Sequence, residues 1–367
     1  MRILVVIRHF YPRIGGGEIV LRQLFTALAK RGHKIYVVTS KLENTPEYEE
    51  IDGLHIYRPY SSGTSFIKVV YFSIKLVSYL VKFMKMHPVD IVFSGAYSST
   101  LPANFAARRN RIPIVTCVTY YYGKTWFQLV NPFTAFIYWT IPSIVLHFGS
   151  KMIVCPSNEV AKKLQRYTKA EIAVIPSPLD YYEIDYIRQS DDTKHIRTEL
   201  GIANDERLLL FVGRLSPEKN VDGLIKALHA SSIDFKLLII GNGPEKNKLE
   251  SLTEKFNVKR RVIFLGEKSH KETLAIMKSC NVLILPSKTE VFPTVVLEAL
   301  ALGVPVIATK VGGITEVESS NLHLVNNLEE MNEILPRVEP NANGDVLERY
   351  SLDNICCQFE AMFNELI

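Results

Sequence analysis

Twice along the chain a series of short apolar runs recurs, each run too short for a buried helix and each separated from the next by a stretch of helical character. The first series falls at residues 3–7, 35–38, 91–93, 114–118 and 152–155; the second at 208–212, 237–240, 262–265, 282–285 and 304–308. Runs that are apolar at every position, rather than at every other one, suit strands covered on both faces, which is the condition of a parallel sheet. Two doubly wound α/β sheets are therefore expected, each binding its ligands outside the carboxyl ends of its strands. A length of 367 residues accommodates two such domains, and 47% apolar content supplies two cores. The expected divisions are a first domain over 1–176, a second over 177–348 and a tail over 349–367.

Strand ends are where the chemistry concentrates. In T-E-V-F-P-T-V-V-L-E-A-L, Glu290 belongs to a loop, because Pro293 is tolerated only in the first turn of a helix. Glu298 then falls in the second turn, where a carboxylate can accept from both hydroxyls of a ribose diol. Between them the free N–H groups of Thr294 and Val295 open a helix whose positive end suits a diphosphate. That helix should stop near Gly303, which Pro305 follows. The second turn is V-G-R-L-S-P-E-K-N. Here Ser216 and Pro217 read as a helix start, with a hydroxyl N-cap and a proline at N1. Lys219 would then oppose the helix dipole, which is easier to understand if an anion lies between it and Arg214.

Other classes fit less well. The glycine run at Gly15 to Gly17 follows a strand, but it is not G-x-G-x-x-G. Ser40 and Lys41, rather than an acid, end the next strand, which disfavours a dehydrogenase. No D-x-D stands at a strand end, so no metal and no other cofactor is required; Glu183-x-Asp185 reads as a solvated stretch. The five cysteines show no C-x-x-C pair, which favours reduced thiols and a cytoplasmic setting over a disulfide framework. No secretory signal is read at the start of the chain.

Charge is divided unevenly. Residues 1–180 hold 22 Lys and Arg against 10 Asp and Glu, and the rest hold 21 against 28. The first domain is thus expected to meet something anionic. No nucleic-acid-binding motif is visible, so a lipid surface or a lipid diphosphate fits better than nucleic acid. Between residues 66 and 86, Lys68, Lys75, Lys82 and Lys85 fall on one helical stripe, while the remaining faces are apolar. Residues 125–150 carry no Lys, Arg, Asp or Glu, yet Asn131, Pro132, Pro142 and His147 interrupt any spanning helix. Interfacial insertion and an internal or dimer-forming surface are the readings that remain.

Together these residues resemble a family: the retaining GT-B glycosyltransferases of the large fourth sequence family, also called group 1. Gly213, Arg214 and Lys219 match its strand-end G-R-x-x-x-x-K, and Glu290 and Glu298 match its E-x7-E. Y-P-R-I-G-G-G-E resembles its glycine-rich loop, with Gly15 and Gly16 on the glycine pair, and the final segment resembles the helix that crosses back to the first domain. The resemblance implies two Rossmann-like domains facing a cleft. It further implies transfer of a hexosyl-type sugar from a nucleotide diphosphate sugar, with retention, to an acceptor that is expected to be lipid-linked glycan or glycolipid. Glu290, Arg214 and Lys219 would be catalytic; Gly15, Gly16, Phe292, Thr294, Val295 and Glu298 would bind the donor. Thr119 stands where many members carry a histidine, so Thr119, Tyr120 and the tyrosines beside them become candidates on the sugar or acceptor side. Val291 replaces a common glycine. The protein would work peripherally on the inner face of a membrane. A GT-B nucleotide-sugar epimerase and a catalytically silent membrane-associated subunit are the alternatives.

Overall fold

A computed structural model of the chain describes all residues except 13–15, 64, 96–97, 120, 122, 124–125, 130, 148–149, 180, 191–194, 204, 232–233 and 340–345. The chain divides into two compact units, one formed by Met1–Pro178 with Leu352–Ile367 and the other by Leu179–Ser351.

The first unit is built on eight strands: β1 (Arg2–Val6), β2 (Lys34–Ser40), β3 (Tyr48–Ile51), β4 (Leu54–Tyr60), β5 (Ile91–Gly95), β6 (Ile114–Cys117), β7 (Met152–Cys155) and β8 (Glu171–Val174). They lie in the order β3-β4-β2-β1-β5-β6-β7-β8. All pairings are parallel except that of β3 with β4. Its helices are α1 (Gly16–Lys30), α2 (Phe66–Met86), α3 (Thr100–Asn110), α4 (Trp126–Leu129), α5 (Pro132–His147) and α6 (Asn158–Leu164). The chain leaves this unit at Pro178 and returns to it with the last helix.

Strand side chains alternate between two cores, as the pleat requires. Ile3 and Val5 of β1 meet Leu24, Phe25 and Leu28 of α1 on one face, while Leu4 and Val6 meet Phe72, Leu76 and Leu80 of α2 on the other. The hairpin β3–β4 closes through Asp52 and Gly53, both at positive φ, the backbone of a two-residue turn. Arg58 of β4 is fully buried there and is paired with Glu49 of β3.

The second unit holds β9 (Leu208–Val212), β10 (Lys236–Ile240), β11 (Val262–Gly266), β12 (Val282–Leu285), β13 (Val306–Thr309) and β14 (Leu322–Val325), all parallel, in the order β11-β10-β9-β12-β13-β14. Its helices are α7 (Tyr181–Gln189), α8 (Ile196–Glu199), α9 (Val221–His229), α10 (Lys246–Lys255), α11 (His270–Lys278), α12 (Thr294–Ala301) and α13 (Leu328–Ile334). Order reverses between β9 and β12, and outside that switch point such sheets bind ligands. α12 buries Val296, Leu297, Leu300 and Ala301. It ends as expected: Gly303 takes φ 77° and the Val304 N–H reaches back to the Ala299 carbonyl at 2.9 Å.

The final helix, α14 (Leu352–Asn364), belongs to the first unit. Ile355, Cys356, Phe359, Met362 and Phe363 recur at helical spacing and are buried. Phe359 faces Phe93 of β5 at 6.2 Å between ring centroids. Arg31 and His33 both bind the Glu360 carboxylate, each at 2.8 Å. The Arg31 guanidinium, helped by His33, holds Glu360 down at about 2.

Four strands were not expected from the apolar runs: β3 and β4 of the hairpin, and the edge strands β8 and β14. The first unit also ends at Pro178 where the sequence reading ends it at 176.

Candidate functional site

β9 ends at Val212 and β12 at Leu285, the two strands flanking the switch point, and the loops that leave them are stitched together. The Asn220 amide donates to the Pro286 carbonyl at 3.1 Å. The Lys288 N–H donates to the Glu218 carbonyl at 2.8 Å. Lys219 Nζ reaches Glu290 Oε1 at 2.5 Å, and the Ser287 hydroxyl donates to the same oxygen at 2.6 Å. Glu290 is buried, so its charge is compensated by a cation and a hydroxyl rather than by water. Arg214 is exposed, and among the described residues its guanidinium has no hydrogen-bond or ion-pair partner. One cation is thus committed to the loop acid, and a second stands open at the strand end.

Glycines allow this crowding. A Cβ on Gly312, which sits at φ 61°, would lie 1.8 Å from the Glu290 carbonyl oxygen, and one on Gly241 would lie 1.9 Å from that of Gly213. Only a residue without a side chain lets these loops approach so closely.

Beyond Glu290 the chain passes Phe292, whose ring meets Tyr350 at 5.8 Å, and enters α12 at Thr294. Pro293 precedes the helix in extended conformation and offers no side-chain cap. The first N–H groups of α12, on Thr294 and Val295, are consequently not satisfied by a capping side chain, which is the arrangement that binds anions. One turn further, Glu298 Oε1 accepts from His270 Nε2 at 3.1 Å, and His270 Nδ1 is bonded to Glu183 of α7. The imidazole lies between two carboxylates. Glu298 first, and Glu183 with it, raise the His270 pKa to about 9 against the opposing effect of burial, so His270 is a cation at neutral pH.

Residues 192–330 match the family model described as glycosyl transferases group 1, and residues 14–181 match that of glycosyltransferase family 4. The chain belongs to the group 1 glycosyltransferases. It is 28% identical to alpha-monoglucosyldiacylglycerol synthase of Streptococcus pneumoniae, over 84% of this chain and 71% of that one. Among solved structures, sucrose-phosphate synthase of Thermosynechococcus elongatus superposes with a TM-score of 0.81 at 21% identity, over 100% of this chain and 98% of that one. Anabaena HepE in complex with UDP-glucose superposes with a TM-score of 0.79 at 19% identity over 100% of both. These likenesses give the glycosyltransferase its GT-B fold: two Rossmann-like α/β domains.

Three local expectations for this glycosyltransferase need correction. Ser216 and Pro217 do not open an α-helix; they open a 3-10 turn, Pro217–Lys219, which Asn220 closes at φ 55° before α9 begins. The Ser216 hydroxyl turns to Glu218 at 2.6 Å instead of capping. Lys219 therefore ends a turn rather than starting a helix, and its position is explained by Glu290. Glu183 is not merely solvated, since it holds His270. Tyr121 does not offer a free hydroxyl: it is buried, bonded to Ser143 of α5 at 2.9 Å, with its pKa pushed up by burial.

Gly16 begins α1 and half-buried Thr119 lies just past β6; both belong to the first unit. Gly15 and Tyr120 lie outside the described residues. Val291 uses its carbonyl to accept from Gly313 at 3.1 Å. Sequence reasoning missed Ser287, His270 and the glycines at 241 and 312. The glycines carry a readable signal, G-N-G-P and V-G-G just after apolar runs. His270 carries none, because its partners lie 28 and 87 residues away. Among the described residues no group of three or more His, Cys, Asp and Glu is disposed to hold a metal.

Proposed function

We propose that the chain moves a hexosyl-type sugar from a nucleoside-diphosphate donor, bound on the second unit, to a lipid-linked glycan or glycolipid, with retention of anomeric configuration. The reading rests on one observation above all: a committed cation and an open one, Lys219 and Arg214, stand at the switch point beside Glu290, while the next helix, α12, begins without a cap. A diphosphate fits that set. As the bond from the anomeric carbon breaks, its electron pair leaves on the diphosphate, and Arg214, Lys219 and the amides of Thr294 and Val295 oppose the charge that grows there. Glu290 holds hydroxyls of the sugar and favours positive charge at its ring. Glu298 takes the ribose diol with its outer oxygen, the inner one being held by His270, and Phe292 lines the approach. Gly15 and Gly16 give backbone access to the sugar, and Thr119 and Tyr120 take the sugar or acceptor side. No cofactor beyond the donor is invoked.

HepE, whose solved complex contains UDP-glucose, makes UDP sugars the first donors to try. The name of the Streptococcus pneumoniae relative points to a glycolipid product. No helix among the described residues is long and apolar enough to cross a membrane. Exposed Lys68, Lys75, Lys82 and Lys85 along α2 suit anionic headgroups instead, which favours peripheral work on the inner, cytoplasmic face.

A thermal-shift panel of uridine, guanosine and adenosine diphosphates and their sugars tests the donor reading. A ligand at a hundred times its Kd stabilises by about 2.7 kcal/mol. One diphosphate should stand out by several degrees, and a flat panel would sink the proposal.

A further inference from the structure

Within the first unit, helices α2, α3, α4 and α5 enclose a cavity of about 1030 Å3, at the upper end of what small-molecule sites occupy. Its wall is hydrocarbon: Ile74 and Val77 of α2, Leu101 and Phe105 of α3, Trp126 of α4 and Ile141 of α5. Two of the hydroxyls that face it are already used. Ser73 donates to the Val69 carbonyl at 2.9 Å, and Tyr121 is held by Ser143.

Three polar groups break this lining. Arg8 stands two residues past β1, at the point where strand order in its sheet reverses between β1 and β5, and it is braced by a 2.9 Å bond to the Gly63 carbonyl. Arg108, in the last turn of α3 and so away from the strand ends, is the second cation. Asn104 is the third: only 4% exposed, it lines the cavity with an amide nitrogen that is buried and has no hydrogen-bond partner among the described residues. A buried donor left unpaired costs stability, so its presence asks for an acceptor that arrives from outside. Around the opening Ile74 is 66% and Phe105 60% exposed, so the wall continues as apolar surface to the outside.

We propose that this cavity holds a hydrocarbon chain of a phosphate-bearing lipid acceptor, the phosphate near Arg8 and an oxygen of the head region on Asn104. The proposal rests on the reading of this protein as a lipid glycosyltransferase and names where its acceptor is gripped. A chain entering at Arg8 has its head at the ligand-binding edge of the sheet and its tail between the helices. A flat apolar patch would explain neither the recess nor the cation at its strand-end mouth.

The chain contains two tryptophans, so Trp139→Phe leaves Trp126 as the only reporter, in the wall itself. Titrating the full chain with n-alkyl phosphates of increasing length, each carrying bromine on the tail and kept below its micelle concentration, should quench Trp126. Affinity should rise about fourfold per added methylene, the equivalent of about 0.8 kcal/mol, and then level off once the cavity is full. Ile74→Glu and Phe105→Glu should each weaken binding at least tenfold. Arg8→Gln should weaken the alkyl phosphate while leaving the uncharged alkanol of equal length unchanged. The shift in melting temperature produced by the nucleoside diphosphate, which belongs to the second unit, should persist in every variant. A persisting shift without quenching overturns the cavity proposal and leaves the donor reading intact; quenching without any such shift does the reverse. Affinity that climbs with chain length without levelling, or a stable dimer that the alkyl phosphate neither quenches nor dissociates, also overturns it.

Discussion

At the switch point of the second unit, Arg214, Lys219, Ser287 and Glu290 meet within two short loops. At the switch point of the first, the strand ends carry Arg8 and Gly95, and the neighbouring helices open onto hydrocarbon. The two sheets share an architecture, yet as proposed one would hold its ligand by charge and the other largely by shape. Charge recognition can be done by a few residues at fixed spacing, because a diphosphate needs cations and amides at defined places. Shape recognition needs a dozen apolar residues whose common property is only that packing left them around the same space. The contrast predicts that single substitutions in the second unit act sharply on chemistry, whereas those in the first act on where the protein and its acceptor meet.

The largest effect should come from the two cations. Arg214→Ala should lower the transfer rate by roughly 10² to 10³, the usual loss when one preorganised group facing developing charge is removed. It should leave the melting temperature unchanged, because the Arg214 guanidinium has no partner to abandon among the described residues. Lys219→Ala should cost a similar factor in rate and also destabilise the protein by about 1–3 kcal/mol, since it leaves the buried Glu290 carboxylate without its cation. Calorimetry beside steady-state rates separates the two. Equal melting temperatures would mean that the Lys219–Glu290 pair has little structural weight.

Next comes Glu298→Ala. Loss of charged hydrogen bonds to a diol, about 1.5–3 kcal/mol, should raise the Michaelis constant for the donor some ten- to a hundredfold. Turnover should fall much less, because the ribose is far from the breaking bond in sequence of events and is held equally in ground and transition states. Matching losses in both constants would move Glu298 into the chemistry and blur the division of labour between the two glutamates.

Legibility followed the same line. The buried central strands were readable because a run such as Leu208 to Val212 is apolar throughout, and nothing but a covered strand uses such a run at that length. The β3–β4 hairpin was not. β4 alternates, with Leu54, Ile56 and Arg58 inward, and its partner β3 carries two glutamates, so neither forms an apolar run. The Asp52-Gly53 turn between them was the available signal. Arg214, Lys219, Glu290 and Glu298 could be named as candidates because each pair falls at fixed spacing just past an apolar run, although Lys219 and Glu290 meet across 71 residues. Ser216-Pro217 misled, because a serine before a proline starts a 3-10 turn as readily as an α-helix, and only Asn220 and its bond to Pro286 decide between them. Glu183 and His270 meet from different helices, and the apolar cavity depends on how α2, α3 and α5 lean together; neither is written in any short stretch of residues.

A subtler difference is electrostatic. The imidazole of His270 has its pKa raised to about 9, with Glu298 the main cause, against an ordinary value near 6.5. Because the folded value exceeds the unfolded one, the stabilisation is fully present below about pH 6.5 and is lost as pH rises through 9. The melting temperature of the wild type should therefore decline across that window relative to His270→Gln, in which the decline should be missing. Glu298→Ala should shrink the same decline by removing the principal partner. If wild type and His270→Gln track one another across the window, the imidazole is neutral in the folded protein, and Glu298 is free of a cation when the donor arrives.

The smallest expected change is also the test of how far the first unit differs. Ile67 and Ile144 are 79% and 54% exposed, so Ile67→Ser or Ile144→Ser should alter stability by no more than about 0.5 kcal/mol, as surface substitutions away from special features do. Their effect should appear only at a lipid surface: sedimentation with anionic vesicles should fall for each variant and further for the double variant, while donor binding stays put. Sensitivity to salt should remain, because Lys68, Lys75, Lys82 and Lys85 are untouched. A marked loss of stability would show instead that these side chains are covered in solution by another copy of the chain, and unaltered sedimentation would shift the membrane contact away from α2 and α5.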